Sequence, residues 1–386
     1  RVTSLPTTFD FTDDVAPCVK TNGDGLSSVL QTIKELSAGN QIDWQAYDAA
    51  TYSPTPDIVS AARSLYAGHS VKEIGRADAT AEALERTANR LKEIAGEARR
   101  DQKKVICFVT GEPGSGKTLL GLDLVFSGTS GRVAEEPAAL LSGNRPLVFV
   151  LQAAIAEDAR KREGIKATEA QRRAQQALQT LLGYLKDHAS ADANPPENVI
   201  VFDEAQRAWD ADTGLKLLGR AKSEPELFLE IMGRLPWACL VCLVGSGQEI
   251  NRGEGGLALW GEALAKSKDW TAHISHKAIA KQNGLLGFFD IASSADVSLV
   301  NDLDLHLNSN LRAYRNNFHG AWVAALLDGQ VETAREISNK MEHPPALITR
   351  DLSEMKAWLE ARRRGDQRVG LLASSGAMRL VANGIP

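Results

Sequence analysis

One stretch of this 386-residue chain constrains its fold more than any other. After Lys104, the apolar run Val105-Ile106-Cys107-Phe108-Val109-Thr110 reads as a buried strand. Gly111-Glu112-Pro113-Gly114-Ser115-Gly116-Lys117-Thr118 follows, and Leu119-Leu120-Gly121-Leu122 then opens an apolar helix. Strand, G-x-x-x-x-G-K-[ST] loop and helix are the context that a phosphate-binding loop requires. The glycines allow backbone angles that other residues resist, so successive N–H groups can point at one anion. The helix start adds its positive dipole end. Lys117 is placed to reach the β- and γ-phosphates of a nucleoside triphosphate, and the Thr118 hydroxyl to hold Mg²⁺.

The rest of the chain repeats the strand–helix alternation. Strands are expected over 105–110, 147–151, 199–202 and 238–244, the mark of a parallel α/β domain. Before residue 100 the periodicity is helical, at Leu26, Val29, Leu30, Ile33 and Leu36, and again through 58–67 and 79–98. A long polar helical stretch is expected over 153–188. Its part from Arg160 to Arg173 holds six basic and two acidic residues, a pattern of a solvated helix face more than of a nucleic-acid contact. A second α/β unit starts near Ala346, with a strand over 346–349, a helix over 352–364 and a strand over 369–373.

Composition narrows the class. A hydrophobic content of 43% and a charged content of 24% are ordinary for a globular protein. A net charge of −5 gives no global pull toward nucleic acid. Cys239 and Cys242 have the C-x-x-C spacing of a metal or redox site. They lie inside the apolar run Trp237-Ala238-Cys239-Leu240-Val241-Cys242-Leu243-Val244, so they read as core residues. The cysteine pattern fits a reducing, cytoplasmic compartment. No apolar run has the length of a membrane span. Arg1 at the start and Gly384-Ile385-Pro386 at the end suggest a piece of a longer protein.

Three further motifs carry chemistry. Val199-Ile200-Val201-Phe202-Asp203-Glu204-Ala205-Gln206-Arg207 is an apolar strand that delivers two acids to its C-terminal edge, where ligands of α/β sheets bind. Asp203 is the expected Mg²⁺ ligand and Glu204 the expected general base for a water nucleophile. The D-E-x-Q ending with Gln206 resembles motif II of superfamily 1 helicases. Cys242-Leu243-Val244-Gly245-Ser246-Gly247-Gln248 resembles motif III, whose glutamine sits by the γ-phosphate. Leu307-Asn308-Ser309-Asn310-Leu311-Arg312 resembles motif IV of UvrD/Rep-type helicases, and by that resemblance Arg312 contacts the γ-phosphate from the far side of the cleft.

Taken together with Tyr52-Ser53-Pro54-Thr55-Pro56, Leu141-Ser142-Gly143-Asn144, Ser223-Glu224-Pro225, Gly253-Glu254-Gly255, Thr349-Arg350-Asp351-Leu352 and Ala373 to Leu380, these motifs resemble the Schlafen-group DNA/RNA helicase family. This is a superfamily 1 branch widespread in bacteria, and the resemblance spans roughly residues 50 to 386. It implies a P-loop RecA-like parallel sheet flanked by helices. The implied plan is a mainly helical region over 1–100, a first RecA-like domain over 101–275, a largely helical connector over 276–345 and the start of a second RecA-like domain over 346–386. It implies ATP and Mg²⁺ as cofactors and single-stranded DNA or RNA as partner, with Gln206 and Gln248 sensing the γ-phosphate. Many bacterial relatives sit among antiviral defence genes, so a defence-system partner protein is implied as well. The chain stops before motifs V and VI, and no upstream glutamine forms an adenine motif, since Gln102 lies in a charged turn too close to the loop. An ATP-gated switch that controls a nuclease or partner without unwinding is the competing expectation. A nucleic-acid-binding module with a structural ATP site is a third.

Overall fold

The computed structural model describes residues 23–36, 44–45, 57–69, 74, 78–111, 114–128, 138–189, 194–245, 256–275, 297–307, 318–341, 346–362 and 369–371. The chain divides into two compact units, Arg1–Pro54 and Thr55–Pro386. In the first, α1 (Leu26–Leu36) forms where leucine, valine and isoleucine recur at helical spacing.

The second unit is built on one sheet of eight strands, all of whose pairings are parallel. They are β1 (Lys104–Gly111), β2 (Ala138–Ser142), β3 (Leu178–Thr180), β4 (Val199–Asp203), β5 (Ala238–Gly245), β6 (Trp270–Ile274), β7 (Ser298–Asn301) and β8 (His306–Leu307). The order is β3-β2-β4-β5-β1-β6-β7, and β8 pairs with the end of β1. Strand β5 therefore lies between β1 and β4. Its register with β1 sets Lys104 opposite Ala238 and Gly111 opposite Gly245. The phosphate loop, the end of β5 and Asp203 thus leave the sheet on one edge.

Parallel strands buried on both faces need continuous apolar runs, and β1 and β5 supply them. Alternate residues enter two separate cores. Ile106, Phe108, Phe202, Leu240 and Cys242 face one. Val105, Cys107, Val109, Val201, Cys239 and Leu243 face the other. The two-residue period of a strand sends Cys239 and Cys242 to opposite faces, so this C-x-x-C pair cannot share a metal or form a disulfide. Both are wholly buried, and burial raises the Cys242 thiol pKa well above its usual range.

Helices cover both faces. On the second face pack α2 (Ile58–Tyr66), α3 (Asp78–Asp101) and α4 (Lys117–Asp123), which follows the phosphate loop and runs into a π-helical turn at Leu124–Gly128. Next come α5 (Arg145–Glu163), α6 (Ala167–Ala177) and α7 (Leu181–His188), then α8 (Ala211–Leu218), α9 (Glu224–Gly233) and α10 (Gly256–Lys266). Helices α7, α9 and α10 supply the apolar side chains of the first face. Further along, α11 (Phe318–Leu327) packs on α12 (Val331–Ser338), and α13 (Leu352–Arg362) follows.

Three expectations change. Residues 147–151 are helical, not a strand. The Asn144 side chain accepts from Leu147 N at 3.3 Å and Pro146 occupies the first turn, so a cap starts α5 and overrides the apolar run. The strand next to β4 is instead 138–142. The expected long helix over 153–188 is broken by Gly164, which takes φ +67 at the end of α5, and by the short strand β3. Residues 346–349 pair with no strand among the described residues, and Leu347 and Ile348 are exposed. Strands β7 and β8 extend the sheet past residue 275.

Candidate active site at the sheet edge

The phosphate loop is shaped by backbone freedom and close approach. Gly116 is the N-cap of α4 at φ +93, in the left-handed region, and Gly114 is at φ +88. At Gly111 a side chain has no room, because a Cβ there would lie 2.6 Å from Ser115 Oγ and 3.0 Å from Leu307 Cβ. Ser115 is wholly buried, and its hydroxyl has no hydrogen-bond partner among the described residues. Lys117 folds back and donates to the Gly111 carbonyl at 2.7 Å. A buried hydroxyl and an ammonium aimed into the same loop are donors of the kind a polyphosphate needs.

The acids stand across the end of β5. Asp203 ends β4 and is 5% exposed. The Thr118 hydroxyl donates to its two carboxylate oxygens at 3.3 and 3.4 Å. A hydroxyl and a carboxylate side by side are hard oxygen donors of the kind Mg²⁺ takes. Burial and the neighbouring Glu204 charge raise the Asp203 pKa to about 6, against the lowering influence of Thr118 and Lys117. A cation at this carboxylate would offset the burial.

Glu204 adopts φ +61 and ψ +43, left-handed backbone for a residue with a side chain. Such a conformation costs about 1–3 kcal/mol and persists only where surroundings over-determine it. Gln206, 1% exposed, donates from Nε2 to Glu204 Oε2 at 2.5 Å and accepts the Gly245 N–H at 3.0 Å. Trp260, fully buried on α10, donates from Nε1 to the Ala205 carbonyl at 2.9 Å. The short 3₁₀ turn Ala205–Arg207 is thus held from β5 and from α10.

The structure brings together Gly111, Gly114, Ser115, Gly116, Lys117, Thr118, Asp203, Glu204 and Gln206. Glu112, Pro113, Gln248 and Arg312, with the motifs at 52–56, 253–255 and 373–380, lie outside the described residues. Other motifs of the sequence have clear places. Ser142 stands in register with Asp203, and its hydroxyl accepts from Asn144 N at 3.2 Å, so 141–144 turns the chain from β2 into α5. Ser223 caps α9 through a capping box with Glu226. Trp209 and Glu224 exchange hydrogen bonds: Glu224 N donates to the Trp209 carbonyl at 3.0 Å, and Trp209 N to Glu224 Oε2 at 3.4 Å. Gln102 is the residue after α3, at φ +52, donating to the Arg99 carbonyl. It sits at the opposite edge of the sheet from the phosphate loop, so it has no access to a base bound there.

Sequence reasoning missed two residues. His306 Nδ1 lies 2.8 Å from Thr110 Oγ1, where β8 joins the root of the loop. Trp260, on α10, packs in the core, and the direction of its N–H has no sequence signal. The basic stretch Arg160–Arg173 is an ion-paired surface. Lys161 pairs with Glu157 at 2.5 Å, Arg162 with Asp158 at 3.3 Å, Arg172 with Glu169 at 3.0 Å and Arg173 with Glu163 at 2.8 Å.

The family model of the Schlafen group 3 DNA/RNA helicase domain matches residues 104–384, well over half of the chain. A comparison with the curated proteins finds no match. No helix among the described residues is long and apolar enough to cross a membrane.

Proposed function

Because the chain belongs to the Schlafen group 3 DNA/RNA helicase family, we propose that it is a superfamily 1 type ATPase that moves on single-stranded DNA or RNA. The observation that carries this reading is the convergence of Lys117, Thr118, Asp203 and Glu204 on one sheet edge, with Thr118 and Asp203 in hydrogen-bond contact. Magnesium-bound ATP supplies the γ-phosphoryl group and the cation that neutralises its charge. Lys117 binds phosphate oxygens, and Thr118 and Asp203 hold the cation. Glu204 accepts the proton of the attacking water. Gln248 reads the γ-phosphate, and Arg312 stabilises charge on it as a permanent planar cation. In this reading the first RecA-like domain runs from 101 past the expected boundary at 275 to β8, which pairs with β1, and 346–386 is the start of the second, at work in the cytoplasm.

The test is ATP binding and turnover with and without single-stranded nucleic acid, beside a strand-displacement assay. Lys117→Ala is expected to abolish binding. Glu204→Gln is expected to keep binding and to slow turnover at least about 100-fold. Normal hydrolysis by Glu204→Gln would remove Glu204 as the base. Nucleic-acid-stimulated turnover without displacement would replace translocation by an ATP-gated switch acting on a nuclease or other partner.

A further inference from the structure

We infer that Trp260 is a positioning residue for the general base, an inference that rests on the reading of Glu204 given above. Ala205 lies between Glu204 and Gln206, and its carbonyl accepts the Trp260 indole N–H at 2.9 Å. Both partners are 0% exposed, so no water competes for this bond. The indole itself has little freedom. Its ring meets Phe108 edge-on, with centroids 5.9 Å apart and planes at 79°. It leans on Phe202 at 5.9 Å and stacks on Phe228 at 6.5 Å. Phe108 belongs to the strand that enters the phosphate loop, and Phe202 immediately precedes Asp203.

The need for such an anchor comes from the backbone. Glu204 is one of two described non-glycine residues at positive φ, and a left-handed residue relaxes unless its neighbours are fixed on both sides. On its N-terminal side Phe202 and Asp203 are held in the sheet. On its C-terminal side the 3₁₀ turn has two outside anchors, the Gly245 N–H through Gln206 and the Trp260 N–H through Ala205. Gln206 also holds the Glu204 carboxylate directly. Removal of the indole donor therefore leaves the nucleotide-binding loop alone and loosens the peptide that aims the carboxylate. A misaimed base slows the chemical step without weakening substrate binding.

The experiment is single-turnover ATP hydrolysis, with ATP affinity measured in parallel, on the whole chain carrying Trp260→Phe. The expected result is a rate reduced about tenfold, the scale of one buried hydrogen bond, with ATP affinity within about twofold of wild type. In a Glu204→Gln background the same change is expected to cost less than about twofold, because no base remains to be aimed. A tenfold loss in both backgrounds would make Trp260 a general structural residue and overturn the inference, as would an unchanged rate in Trp260→Phe. If the smaller ring unfolds the protein, benzothienylalanine at position 260 alone keeps the ring size and removes the donor, and the same outcomes decide. A wild-type chain without hydrolysis would sink the reading of Glu204 and this inference together, whereas an active wild type with a neutral Trp260→Phe sinks this inference alone.

Discussion

The phosphate loop and the acidic turn face each other across the end of β5, and they are held in different ways. The loop is mostly local: Gly114 and Gly116 take positive φ and Lys117 donates to the Gly111 carbonyl, with Leu307 of β8 a distant neighbour at Gly111. The acidic turn is made by distant partners. Gly245 lies 39 residues from Gln206 and Trp260 lies 55 residues from Ala205 in the chain. A short motif can encode most of the first kind of site. The second kind exists only once the sheet and α10 have assembled, so its geometry is a property of the core.

That contrast can be broken by substitutions on either side. The largest effect is expected from Gly111→Ala. The added methyl meets Ser115 Oγ, Leu307 Cβ and the Leu307 carbonyl, so binding of ATP should be lost and stability should fall by about 1–3 kcal/mol, measured by calorimetric titration and denaturant unfolding. A variant that binds ATP normally would show that the loop tolerates more than its close approach to β8 implies.

Next in size is Asp203→Asn, read by stability against pH in magnesium-free buffer. The folded pKa of Asp203 is raised to about 6 from the ordinary 3.8. Between those values the unfolded chain releases the proton and the folded chain keeps it, so wild-type stability should fall as pH rises from about 4 to 6 and then level. A shift of that size corresponds to about 3 kcal/mol. Asp203→Asn should lack this step, match wild type near pH 4 and be the more stable protein at pH 7. Parallel curves for the two proteins would refute the buried, charge-crowded account of Asp203.

The smallest effect sharpens the comparison by lying outside both regions. Arg173→Ala removes exposed ion pairs to Glu163 and Glu169. Stability should change by less than about 1 kcal/mol, and affinity for single-stranded DNA should stay within twofold in a fluorescence-anisotropy titration. A tenfold loss of affinity would turn this ion-paired face into a nucleic-acid contact.

Legibility followed the range of the forces. Strands β1, β4 and β5 were readable because a parallel strand covered on both faces must be apolar at every position. Residues 147–151 were equally apolar but lie in α5, because a cap at Asn144 and a proline at 146 decide locally what an apolar run becomes. The C-x-x-C at 239–242 was resolvable only in part. Its apolar setting indicated core, and the sheet added that its two thiols face different cores. His306 carried no motif, and its contact with Thr110 arises because β8 returns to the root of the loop after nearly two hundred residues.

By itself the sequence determined the α/β class, the glycine-rich loop after β1, the strand that presents Asp203 and Glu204, and the resemblance to a helicase family that the family match then established. Those properties rest on residue type and short spacing. Tertiary structure decided the strand order that sets β5 between the loop and the acids, the left-handed backbone of Glu204, and the two donors that hold the turn beside it. The physical reason is that a hydrogen bond from Gly245 or Trp260 has direction as well as strength. Direction is fixed only when buried side chains on both faces of the sheet have packed.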